Sequence, residues 1–306
     1  MQYTISATDA RRIMRGDGIQ LWKEKKGLAQ PEDLSGVLRV QMGVITEAFN
    51  LSWWQRNHAK EGLTVASNTL AWSDKLPQLV SSDEQDVTTF AKRRQKKNGN
   101  GGFFEYVSGK REWQTFTPDG FVFNASDELV GIIDAKHTRA IGEGNEPYAA
   151  VQANYWQFVH QMMVTGLDKV FVSVLYGNDE WRPFTVLRNE DDIATLLGAE
   201  MLFMRELEDE HPPGFAIEAP ADHPIPGVPT RKLSAKDVEQ SNWGADYIAA
   251  AGDFITHYDS DKKLDAAKKA LRGFLPEDAV KIEAFGVRVN RTQRGIVITS
   301  LKEKAA

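Results

Sequence analysis

The 306-residue sequence contains no cysteine. That excludes disulfides, thiolate-ligated zinc and cysteine-held iron–sulfur clusters. Histidine is scarce too: the six at 58, 137, 160, 211, 223 and 257 are scattered, without the His-Glu-x-x-His spacing of zinc hydrolases. No apolar run approaches the roughly 18 residues that span a bilayer. The opening stretch "MQYTISATDARRIM" lacks the apolar core of a secretory signal. No membrane partner is expected, and a cytoplasmic location is the default. There is no internal repeat. What is present, 42% hydrophobic and 26% charged residues, is the composition of a soluble globular protein. The length suits one domain of about 200 residues plus something smaller.

Periodicity orders the chain. Residues 8–26 read as a helix capped by Thr8 or Asp9, and 36–58 as a longer one with apolar residues at helical spacing. Short strand-like runs follow at 63–66, 103–107 and 113–117, then a hairpin from 120–123 to 129–136 across "NASD". The stretch 148–166, "YAAVQANYWQFVHQMMVTG", predicts an amphipathic helix ended by Gly166. After it come a buried strand at 168–177, an edge strand at 182–187 marked by Pro183, and an acidic helix at 189–210. Six of the twelve prolines fall in 212–229, which predicts a stiff linker over 211–232 between a domain at 1–210 and a smaller region at 233–306. In that region 235–272 reads as helical and 285–301 as a hairpin around "RTQRG". The fold class expected is α/β, a mixed sheet flanked by helices, with a small C-terminal α+β extension.

The stretch "TPDGFVFNASDELVGIIDAKHT" (117–138) carries the chemistry. Isolated charges are rare inside a sheet unless paired or bound to metal. Strand alternation puts Asp134 and Lys136 on one face and Ala135 on the other, and the hairpin returns Asp119 towards Asp134. Two carboxylates at a sheet's end suit Mg2+, which takes one or two protein carboxylates and completes its octahedron with water and phosphate. Such an ion polarises a phosphodiester and activates water. A nearby ammonium would orient water or steady developing charge. Acid-x-Lys alone is unspecific: about five are expected by chance. Of the three present, Glu24/Lys26, Asp134/Lys136 and Asp261/Lys263, only the middle one sits in an apolar strand after a Pro-Asp-Gly turn. The plain alternative is a surface ion pair on an edge strand.

"PDG…DAK" resembles the PD-(D/E)xK (restriction-endonuclease-like) nuclease superfamily. "QMGVITEAF" (41–49) is similar to its Gly-xxx-Glu helix, and "YWQFVHQMMVTG" (155–166) to the glutamine helix of the YqaJ-like viral recombinase, or lambda-type alkaline exonuclease, group. "TISATDARRIM" (4–14) is similar to that group's N-terminal motif. Together these cover about residues 1–210 in the expected order. The resemblance implies Glu47, Asp119, Asp134, Lys136 and Gln157 as catalytic residues. It implies two Mg2+ ions, with Mn2+ as a substitute, held by Glu47, Asp119, Asp134 and the Ala135 main-chain carbonyl. Gln161 is a second, weaker match for the glutamine. Two departures accompany it: Asp134 stands where these exonucleases more often carry Glu, and a basic residue that relatives place before the N-terminal motif would precede Met1. Phosphate contact is then expected from Thr8, Arg11 or Arg12, or from the basic run Lys92, Arg93, Arg94, Lys96 and Lys97 before "NGNGG".

Each of these residues has a plainer reading. The basic run alone is a solvated loop. Glu47 is a solvated helix acid, Gln157 and Gln161 satisfy core backbone, and His160 is a packed core histidine. The tryptophans at 53, 54, 72, 113 and 156 are core, and "RVNRTQRG" only turns a hairpin. The net charge of −6 argues weakly against nucleic acid, although distribution matters more than the sum.

The function expected from the resemblance is Mg2+-dependent exonuclease digestion of linear double-stranded DNA, 5′ to 3′, giving single strands for phage-type recombination. Double-stranded DNA ends, a single-strand annealing recombinase and a homo-trimer are the implied partners. Alternatives are a RecB-like or restriction-like endonuclease and a non-catalytic DNA-binding module on a nuclease fold.

Overall fold

Ser6 opens the first helix by a reciprocal cap: its hydroxyl accepts from the Asp9 N–H while the Asp9 carboxylate accepts from the Ser6 N–H. Ser6, not Thr8 or Asp9, is therefore the cap. The computed structural model describes residues 3–81, 90–97, 102–142, 146–209, 212–213, 223–229, 231–257, 261–292 and 295–301. Within them the chain divides into two units, Met1–Pro226 and Gly227–Ala306.

In the first unit, strand β1 (Ile5–Ser6) leads into α1 (Ala7–Ile13) and α2 (Gly18–Lys25). The single helix expected over 8–26 is thus broken. Gly16 turns the chain at φ +79°, and Arg12 braces the corner through Asp17 and Glu24. Helix α3 (Leu38–His58) precedes β2 (Thr64–Ser67), β3 (Leu79–Ser81), β4 (Phe90–Lys96), β5 (Phe103–Ser108) and β6 (Gln114–Phe116). The hairpin strands β7 (Gly120–Phe123) and β8 (Leu129–Thr138) follow, then α4 (Ala149–Thr165), β9 (Lys169–Tyr176), β10 (Glu180–Leu187) and α5 (Glu190–Glu208).

These strands form two five-stranded sheets, β1-β6-β5-β4-β3 and β10-β9-β8-β7-β2. In the second sheet β8 and β9 run parallel, with α4 in the crossover between them; its other pairings are antiparallel. β10 is the edge that Pro183 foretold. The mixed sheet with flanking helices is the architecture expected. Gly120 is required where β7 meets β2, since a Cβ there would lie 2.7 Å from the Ala66 carbonyl. Gly166 ends α4 in the left-handed conformation, φ +76°.

One further expectation needs correction in this unit. The basic run is a strand, not a loop: β4 pairs antiparallel with β5, from Ala91 opposite Ser108 to Lys96 opposite Phe103. The cross-strand acid Glu105 pairs with Arg94 and Lys96. Arg93 donates to the Ser73 and Leu76 carbonyls and lies over the Phe104 ring. Half of the linker read over 211–232 lies outside the described residues. Where 223–226 is described it packs onto the first unit: Ile225 is buried, Pro226 O accepts from Leu187 N–H at 3.0 Å, and His223 meets Asp192 at 2.9 Å.

The second unit holds β11 (Arg231–Leu233), α6 (Ala235–Glu239), α7 (Gly244–Thr256), α8 (Asp261–Gly273), β12 (Ala279–Ala284), β13 (Val287–Thr292) and β14 (Gly295–Ser300). The helical stretch expected over 235–272 is three helices. The sheet order is β11-β12-β13-β14, over a core that includes Val238, Tyr247, Phe254, Leu271, Ile282 and Val289. The hairpin expected at 285–301 is present. Arg291 is committed inside it, donating to the Ala279 and Pro276 carbonyls. Among the described residues no helix is long and apolar enough to cross a membrane.

Candidate active site

Strand β8 has two helices on its two faces. Ile133 and Ala135 point to α3, where they join Leu51, Trp54, Val65 and Val122 in one apolar cluster. Asp134 and Lys136 point the other way, to α4. The Asp134 carboxylate, 2% exposed, receives the amides of Gln157 at 3.1 Å and Gln161 at 3.3 Å on Oδ2. Its Oδ1 is in ion-pair contact with the Lys136 ammonium and accepts no hydrogen bond of ordinary geometry. The Lys136 Nζ lies 5.9 Å from the centre of the Phe158 ring. Gln161 is wholly buried, and its Oε1 has no partner among the described residues.

Asp119 enters from the turn before β7. Register sets Gly120 opposite Ile133, so Asp119 comes beside the end of β8, where its Oδ2 accepts the Ala135 N–H at 2.7 Å. Asn68 secures that turn, donating to Pro118 O at 2.8 Å and accepting the Phe104 N–H at 3.0 Å. The Asn68 backbone N–H in turn donates to Asp119 O at 2.8 Å.

The electrostatics follow from this crowding. Burial, then the Asp134 charge, raises the Asp119 carboxyl well above its ordinary value, against the opposing Lys136 ammonium and the Ala135 N–H. Burial and Asp134 likewise raise Glu47. For Lys136, burial favours the neutral amine, but the Asp134 and Asp119 carboxylates outweigh it and the ammonium is favoured.

Glu47 approaches from α3, on the opposite face of β8 from Asp134 and Lys136. Its carboxyl feels both charges, yet no hydrogen bond or ion pair joins it to them among the described residues. Among those residues no three His, Asp or Glu side chains form a ready metal cage. The donor set nonetheless fits a hard divalent ion, which needs only one or two protein carboxylates. Asp134 Oδ1, buried and satisfied only by a cation, is the observation that favours one.

The proposed phosphate contacts are placed differently from one another. Arg11 is partly buried, tethered to Asn154 Oδ1 at 2.7 Å, and near enough for Asp134 to influence it. Burial lowers its pKa first, and Arg15 adds to that. Thr8 is exposed on the same helix. Arg12 is committed to Asp17 and Glu24, and Arg93 to two carbonyls, so neither presents a free fork to a phosphate. Arg94 and Lys96 are paired with Glu105, while Lys92 and Lys97 are exposed on and beside β4.

Sequence reasoning missed Asn50 and Ser173. Asn50 is buried, donates to Lys136 O at 3.1 Å and Ser173 O at 2.9 Å, and accepts from Ser173 Oγ at 2.6 Å. Its one signal was an amide in an apolar helical stretch, one turn beyond Thr46.

No protein-family model matches the sequence, and no curated protein matches it. Among solved structures it is similar to a phage-related exonuclease from Haemophilus somnus 129PT (TM-score 0.41, 14% identity, 68% of this chain and 96% of that one). It is similar also to the alkaline exonuclease of Laribacter hongkongensis (TM-score 0.39, 14% identity, 68% of this chain and 89% of that one). The same enzyme in complex with dAMP gives a TM-score of 0.41. At 14% identity the likeness concerns the arrangement of elements, not the chemistry.

Proposed function

We propose that this chain is a Mg2+-dependent deoxyribonuclease of the PD-(D/E)xK type that digests linear double-stranded DNA from its ends. The observation that carries the reading is the hairpin itself. Consecutive strand positions supply the buried Asp134, the Ala135 N–H that orients Asp119, and the Lys136 ammonium. A structural ion pair would account for Asp134 and Lys136, but not for a second carboxylate turned into the same spot and left with a raised pKa.

Asp119, Asp134 and the Ala135 carbonyl would hold the ion, with Glu47 reaching it from the α3 side. Bound Mg2+ would polarise the phosphodiester and make its attached water more acidic. Lys136, held protonated, would steady charge on the transferring phosphoryl group instead of removing a proton. Gln157 and Gln161 hold the orientation of Asp134. Arg11, aimed by Asn154, would take a phosphate oxygen. The 5′ to 3′ direction, a trimeric assembly and supply of single strands to an annealing recombinase belong to the same proposal.

Digestion of end-labelled linear duplex in Mg2+, with and without a 5′-phosphate and beside closed circular DNA, tests it. Linear duplex should be consumed and the circle left intact. Cutting of the circle at a comparable rate would make the protein an endonuclease. Binding without cleavage in Mg2+ or Mn2+ would remove the enzyme reading.

A further inference from the structure

Between Leu38 and Phe49, the first half of α3 has no fully buried side chain, and Glu47 is only partly buried; the fully buried residues of this helix begin at Asn50. Leu38 and Ile45 are 75% and 72% exposed. Apolar packing of its own turns therefore does not fix where Glu47 points. The contact next to it is polar. Thr46 Oγ1 lies 3.0 Å from His137 Nδ1, across from α3 to the end of β8. The other ring nitrogen, His137 Nε2, lies 2.7 Å from Gly177 O. A carbonyl only accepts, so Nε2 carries a proton and Nδ1 is the atom that meets the Thr46 hydroxyl, whose single proton is shared with the Met42 carbonyl 2.6 Å away in the same helix. Gly177 is itself fixed: its N–H donates to Thr138 O at 2.8 Å, and its φ is +59°. The imidazole is thus clamped to a corner joining the ends of β8 and β9, and it reaches out to the residue just before Glu47.

We infer that His137 and Thr46 form a latch that positions the Glu47 carboxylate over the Asp119–Asp134–Lys136 cluster. Both act through Glu47 and are positioning residues. One helical turn further on, Asn50 ties the same helix to the Lys136 and Ser173 carbonyls, so the two contacts together set the rotation of α3 about its axis. Without the latch the exposed half of the helix is held from its buried end, where Asn50, Leu51 and Trp54 anchor it. The cost then falls on ion binding, not on DNA binding or the fold.

The inference rests on the nuclease reading, and the experiment separates the two. Thr46→Val, which keeps the shape and removes only the hydroxyl, is compared with Thr46→Ser, His137→Ala, Glu47→Gln and the wild type. Mn2+ affinity is measured by electron paramagnetic resonance or calorimetry. The Mg2+ concentration at half-maximal cleavage, the KM for duplex and Tm are recorded beside it. Thr46→Val and His137→Ala should weaken Mn2+ binding by roughly 10- to 100-fold and raise the Mg2+ requirement to match, the range typical for lost supporting hydrogen bonds. KM should stay within about twofold, and Thr46→Ser should behave as wild type, because the hydroxyl is what the latch uses. Wild-type Mn2+ affinity in both Thr46→Val and His137→Ala overturns the latch and leaves the nuclease reading standing. So does equal weakening in Thr46→Ser and Thr46→Val. A wild-type protein that binds no Mn2+ and cleaves nothing overturns the nuclease reading, and the latch with it.

Discussion

Asn50 Nδ2 donates to the Lys136 carbonyl at 3.1 Å, tying α3 to the strand residue whose ammonium faces the other side of the sheet. The same amide bonds Ser173 through its carbonyl and its hydroxyl. Asn50→Ala leaves these buried groups without partners, at a cost of about 3 kcal/mol, which lowers Tm by roughly 6–12 °C for a unit of this size. Thermal unfolding followed by circular dichroism checks this; a shift under about 2 °C would contradict it.

Asp119 should trade function for stability. Its carboxyl is raised by burial and by Asp134, so the folded state favours the protonated form. That contribution is present at acid pH and is lost as the pH rises through the raised value, which leaves repulsion at neutral pH. Asp119→Asn should therefore keep or raise Tm at pH 7.5 in EDTA while lowering cleavage at least about 100-fold. A clear fall in Tm would mean that the carboxylate is structural.

Gln157 and Gln161 share one oxygen of Asp134. Either amide alone holds that carboxylate in part. Gln157→Ala is expected to lower kcat by about 10-fold, and Gln157→Ala with Gln161→Ala by more than the product of the two single effects, the signature of one shared role. Strict additivity in kcat would separate the two residues.

His160 and Glu200 form a fully buried pair at 2.7 Å, which also engages Thr115 O and Gln114. Burial pushes the imidazole down, but the Glu200 carboxylate and its hydrogen bonds prevail and raise it above its ordinary 6.5. A raised value means stability that is complete below about 6.5 and is lost as the pH rises through the folded-state value. Tm should fall as the pH rises above about 6.5, and His160→Gln should flatten that slope. Parallel pH profiles for the two proteins would contradict the assignment.

Parts of this architecture are legible in the sequence because they are local. The β7–β8 hairpin is written in Pro-Asp-Gly and in the alternation of 129–136, and α4 in its apolar spacing and the Gly166 stop. The strand at 90–96 is not legible, because its four basic side chains look like a solvated loop until Glu105 appears on the paired strand. The helix break near Gly16 is hidden by helical spacing on both sides of it. Strand alternation puts Asp134 with Lys136, but it cannot reveal that Glu47 comes from the opposite face. Nor does the sequence reveal that Asn50 meets Lys136 and Ser173, or that His137 meets Thr46 and Gly177, since those contacts join residues about 40 to 120 positions apart.

The most direct measurement is a Mg2+ titration of end-labelled linear duplex cleavage by wild type, Asp134→Asn and Lys136→Met, with Tm recorded for each. Saturable, EDTA-sensitive cleavage by the wild type, lowered at least about 100-fold in both folded variants, is the expected result. Full activity in either folded variant would contradict the site proposed on β8.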